Sequence, residues 1–145
     1  MKNLLPNKLS DCIDVALKDL DAAKKLGFKV NMKRWYQRRD KTCTVCLAGA
    51  VLAREFDLDK HEELGPENAY WDGLISDHDY DRLQALNLVR IGWVLDALNQ
   101  IDPVHHSPGG VVENYFTLSS TGDRDTKEWR KNMFYLRDYL REQGL

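Results

Sequence analysis

The chain is poor in the features that declare a function outright. Nowhere among its 145 residues is there a run close to the roughly 18 apolar residues a membrane-spanning helix needs. Cysteine is scarce, and its count of three is odd, which excludes a secreted disulfide framework. Charge of neither sign dominates: the net value is −2, so overall charge gives no reason to expect nucleic acid as the partner. Gly109-Gly110 lacks the further glycines and the lysine of a phosphate-binding loop. No serine sits in a strand–turn–helix elbow, and there is no internal repeat or low-complexity tract. The opening Met-Lys-Asn-Leu-Leu-Pro is too short and too soon polar for a secretory leader. These absences predict a reduced, cytoplasmic protein forming a single helical domain over 1–145.

What is present is a run of twelve uncharged residues, Thr42 to Ala53, in a chain where 30% of residues are charged. Ala48, Gly49, Ala50 and Ala53 keep it small. A helix apolar on every side has no face for water and must be enclosed by protein, so a buried central helix is expected over about 42–56. Before it, Leu9, Cys12, Ile13, Ala16, Leu17 and Leu20 fall on one helical face, closed by Gly27. Met32 to Arg39 reads as one or two helical turns. Ser76 to about Asn99 reads as one long, mostly enclosed helix ended by Pro103, with Gly92 offering a close crossing to Gly49 or Ala53. A short helix is expected from Asp59 to Gly65-Pro66, and irregular chain from Tyr70 to Ile75. Asp125 should cap the last helix, whose stripe is Trp129, Met133, Leu136 and Leu140. Between 103 and 124 the rhythm stops, leaving an irregular or short β segment. The sum is a mainly-α bundle of four or five helices.

No catalytic or metal set assembles from spacing. Cys43-Thr44-Val45-Cys46 has the CxxC pattern, but no βαβ unit precedes it and no second ligand pair accompanies it. Buried thiols are the expected reading. Asp77-His78-Asp79-Tyr80-Asp81 begins like a calcium loop and fails at Arg82, where that loop needs glycine. Acids opening a helix are explained by its dipole. His61 and His78 lie among carboxylates, and His105 and His106 on a glycine-containing loop. No cofactor is implied.

Charge is segregated along the chain. Lys24 to Lys41 holds eight basic residues and one acid, whereas Glu55 to Asp81 holds ten acids and one base. The wheel over 32–39 places Met32, Trp35 and Tyr36 inward and the bases outward. The basic strip Lys33, Arg34, Arg38, Arg39 and Lys41 is therefore the expected partner-binding surface, with the acidic segment as its competitor. Binding of a nucleotide or single-stranded nucleic acid by 29–41 is the alternative. A small hydrolase using His105 or His106 is the third reading.

An amphipathic first helix, then a Trp35-bearing connection, then Cys46-Leu47-Ala48-Gly49-Ala50-Val51 resembles small phage and bacterial helical proteins built on a Cys-x-x-Gly-Ala-type helix. Those families are described only as domains of unknown function. The resemblance spans roughly residues 9–56, with Val51 and Phe28 departing from the usual Leu and Trp. It implies a phage or mobile-element origin, and a protein that binds a host or defence component.

Overall fold

The computed structural model describes residues 3–30, 36–39, 42–56, 65–102 and 125–145. Six helices account for most of these residues, and the fold is a mainly-α bundle. Helix α1 (Leu9–Lys25) carries the expected face inward: Leu9, Cys12, Ile13, Ala16, Leu17 and Leu20 are at most 2% exposed. It stops where expected, at Gly27, whose φ of 96° is the left-handed conformation that ends a helix at little cost.

Three short strands follow, and here the structure corrects the sequence reading. Strand β1 (Lys29–Val30) pairs parallel with β3 (Thr42–Val45), which pairs antiparallel with β2 (Tyr36–Arg39). Residues 36–39 are therefore extended, not helical. One or two helical turns are too short to sustain themselves. Thr42, Thr44 and Val45 are β-branched and supply a strand whose ladder satisfies both backbones.

The central helix accordingly starts later than expected. Helix α2 (Leu47–Glu55) is capped by Cys46, whose Sγ accepts the Gly49 N–H at 3.2 Å. All six residues from Leu47 to Leu52 are buried. Helix α1 packs along α2, and helices α4 and α6 complete the enclosure from α2 and α1 respectively.

Pro66 opens a helix instead of ending one. Helix α3 (Pro66–Trp71) places it in the first turn, where its missing N–H costs nothing. The single helix expected over 76–99 is two, α4 (Asp77–Val89) and α5 (Val94–Ile101). Gly92 makes the break: at φ 89° it turns the chain between α4 and α5. Among the described residues the mainly-α bundle has six helices. Helix α6 (Lys127–Glu142) buries Trp129, Met133, Leu136 and Leu140 as predicted. Its cap is Thr126 and not Asp125. The indole of Trp129 donates to the Arg90 carbonyl at 3.0 Å, fastening α6 to the α4–α5 turn. The helix expected at 59–65 falls mainly on residues 57–64, outside the described residues, as does the 103–124 segment.

Ion pairs bind α6 to α1. Arg137 and Arg141 reach Asp14 at 2.6 and 2.7 Å, while Arg130 reaches Asp21 at 2.8 Å and Asp125 at 2.6 Å. Late residues of α6 meet early residues of α1, so the two helices run antiparallel. Asp125, freed from capping, also takes Lys24 at 2.9 Å. Burial raises its carboxyl, but the bonds from Arg130 and Lys24 outweigh that and hold it below the usual range.

A second fastening holds the N-terminal segment on α4. Asp79 is fully buried, and its two oxygens accept the N–H groups of Leu4 at 2.9 Å and Leu5 at 3.1 Å. Arg82 donates to the carbonyls of Pro6 and Asn7, each at 3.0 Å, and Arg54 donates to that of Leu4 at 3.0 Å. Replacing Asp79 by Ala strands two amide donors, so Asp79→Ala should destabilise the protein by about 2–4 kcal/mol. Urea unfolding measures this; a loss under about 0.5 kcal/mol, the range of an ordinary surface substitution, would show that the segment is not held by this carboxylate.

Candidate functional site

The residues that sequence spacing proposed for chemistry are mostly used for structure. Cys46 stands at a helix N-terminus, where a thiol would ordinarily be acidified. Burial overrides the helix: the Cys46 thiol is pushed up to about 11 despite the Gly49 and Ala48 amides. Cys12 is likewise buried, donates to the Pro6 carbonyl at 3.2 Å, and is pushed up to about 12 by desolvation. The Cys43 side chain lies outside what the structure describes. The Asp77–Asp81 run opens α4, and its middle acid is spent on Leu4 and Leu5. Nε2 of His78 sits 2.8 Å from the Leu5 carbonyl, in the same fastening. No group of three or more His, Cys, Asp or Glu is placed to hold a metal ion among the described residues. His61, His105 and His106 lie outside them.

The basic strip is not assembled on one helix. Arg38 and Arg39 belong to strand β2, so the 3.6-residue argument that put them on one outward face does not apply. Lys33, Arg34 and Lys41 lie outside the described residues.

A recess that spacing did not reveal opens between α3 and the start of α4. It encloses about 330 Å³ and is lined by Tyr70, Trp71, Asp77, Tyr80 and Asp81. Helix α3 ends at Trp71, which leaves that ring 82% exposed at the rim. Tyr70 packs against both other rings: its centroid is 5.7 Å from that of Trp71, edge-on at 73°, and 4.9 Å from that of Tyr80. Asp77 and Asp81 are four residues apart and so share one face of α4. A hydrogen bond to Asp77 raises the Tyr70 hydroxyl above its ordinary range. Asp81 accepts from the Gln100 amide at 3.0 Å, which fixes its carboxylate from the α5 side. Aromatic walls with two oriented carboxylates are suited to a cation and hostile to an anion. Its signal in the sequence is the interleaving of rings with acids over 70–81.

A smaller crevice, about 220 Å³, lies between α1 and α2, with Leu26 and Phe28 in its wall. Asp19 sits in its lining, only 8% exposed. Arg54 Nε approaches Asp19 Oδ2 to 3.0 Å, yet that oxygen has no aligned hydrogen bond. Desolvation therefore prevails over the Arg54 charge, with Glu55 adding to it, and the carboxyl is raised to about 6.

Comparison of the chain with family models, curated proteins and solved structures finds no match.

The Asp19 shift has a definite sign. A carboxyl raised in the folded state contributes stability at low pH that is lost as pH climbs from about 4 through about 6. Asp19→Asn removes that loss. The variant should match the parent near pH 4 and exceed it by about 1–3 kcal/mol at pH 7.5. Paired denaturant titrations at the two pH values check this; a variant less stable than the parent at pH 7.5 would mean that the Arg54 pair outweighs the burial cost.

Proposed function

We propose that the chain is a non-catalytic, cytoplasmic binding protein, of the kind phages encode against a host or defence component, and that it acts by surface contact with a basic macromolecule. Its docking face is the acidic one formed by α3 and the start of α4. The observation that carries this reading is the exposed Trp71 set among Tyr70, Tyr80, Asp77 and Asp81. Large rings left in solvent beside oriented charge are costly to keep without a partner, and they are the residue types that anchor interfaces. Glu67, Asp72, Asp77 and Asp81, carried by α3, α4 and the turn between them, would steer such a partner towards that face. No helix among the described residues is long and apolar enough to cross a membrane, in keeping with a protein partner.

The basic strip is the second surface, favoured by its eight bases against one acid over 24–41. It would serve a nucleotide, a single-stranded nucleic acid or an acidic protein. Charge reversal separates the two faces. Partner capture by a tagged chain should be lost with Asp77→Lys/Asp81→Lys and retained with Arg34→Glu/Arg38→Glu/Arg39→Glu, with melting temperatures near that of the parent in both. The opposite pattern would overturn the acidic-face reading. If affinity also fell steeply with log salt, by about 0.7 per phosphate contacted, single-stranded nucleic acid would be the ligand.

A further inference from the structure

Resting on the acidic-face reading, we infer that the Tyr70–Trp71–Asp77–Tyr80–Asp81 recess is a side-chain pocket for a guanidinium, taking an arginine of the partner in preference to a lysine. Three features point the same way. The ring of Trp71 lies at the rim with most of its surface in water, and a planar guanidinium gains from stacking on such a face where a hydrated ammonium gains less. Asp77 and Asp81 stand one turn apart on α4, a separation of roughly 5–6 Å between Cβ atoms. A guanidinium carries five donors in a flat fork and can address both carboxylates at once, whereas an ammonium is a point charge.

The acceptors are also in order. Asp81 accepts the Gln100 amide at 3.0 Å, so that carboxylate is held while retaining further lone pairs. A helix N-terminus repels cations, which would count against a cation site at the start of α4. Here two first-turn acids, Asp77 and the buried Asp79, together with Asp81 just beyond, reverse that field. The volume of about 330 Å³ accommodates the head of an arginine with the end of its stem. The same chain already stacks this group on a ring elsewhere: the guanidinium carbon of Arg137 lies 4.7 Å over the Phe134 ring.

The test uses the purified full chain and no macromolecular partner. Its readout is the Trp71 indole N–H resonance, assigned by its absence in Trp71→Phe. The probes are N-acetyl-arginine amide, N-acetyl-lysine amide and the uncharged N-acetyl-citrulline amide. The arginine probe should shift the resonance saturably, the lysine probe should bind about tenfold more weakly, and the citrulline probe should not saturate. Asp77→Asn/Asp81→Asn should reduce the arginine affinity by at least about tenfold while leaving the spectrum of the core unchanged. No saturable shift with arginine, or equal binding of citrulline, would overturn the pocket. Equal binding of lysine would overturn the guanidinium preference. Because no partner is present, failure here with partner capture still lost in Asp77→Lys/Asp81→Lys would sink the pocket and leave the acidic-face reading standing.

Discussion

From Leu47 to Leu52 helix α2 has no side it can show to water, and the other helices are arranged to spare it from doing so. Leu47 to Leu52 are all buried, with Ala48, Gly49 and Ala50 keeping the helix slim. Side chains this small let neighbouring backbones approach, so α1 lies along it and α4 closes another side. The cost of enclosure falls on the ends. An N-terminus surrounded by protein must satisfy its free amides locally, and the Cys46 sulfur does this for Gly49. The same constraint silences the thiol, because a group that deep cannot ionise near neutral pH. The second cysteine of a pattern that resembles redox chemistry is thereby consumed in building a helix.

Electrostatics then divides into pairs that hold the bundle and charges left for a partner. The α1–α6 seam and the Asp79 fastening are of the first kind: Asp14, Asp125 and Asp79 each have an aligned donor there. Asp19 is the exception, buried beside Arg54 without an aligned bond and raised accordingly. Asp14 shows the contrast, its burial outweighed by bonds from Arg141 and Arg137 that hold it low. Asp77 and Asp81 are of the second kind, set on the rim of an open recess. The distinction is one of geometry and not of residue type, which is why the count of acids alone could not make it.

Much of the fold was legible in the residues. Helical spacing located α1 and α6 and their buried stripes, and the absence of charge marked α2. Boundaries were harder where two principles competed. Thr42 to Val45 is uncharged like the helix it precedes, yet its β-branched residues join a ladder with β2. Gly92 looked like a small residue for close packing and proved to be a left-handed turn. Less of the candidate site was readable. Tyr70 meets Tyr80 only because α3 folds back on α4, a tertiary fact with no local signature. Asp79, read as a dipole-stabilised helix opener, is fixed by Leu4 and Leu5 from more than seventy positions away.

Residues Leu47 to Leu52 of α2 are sealed inside the bundle, so recognition is left to the exterior. Native-state hydrogen exchange at the amides of Ala50, Val51 and Leu52 tests this most directly. They should exchange only through global unfolding, with an opening free energy within about 1 kcal/mol of that from denaturant unfolding. Exchange of these amides several kcal/mol below the global value, while α1 stays protected, would show an α2 that opens to water and would contradict the account.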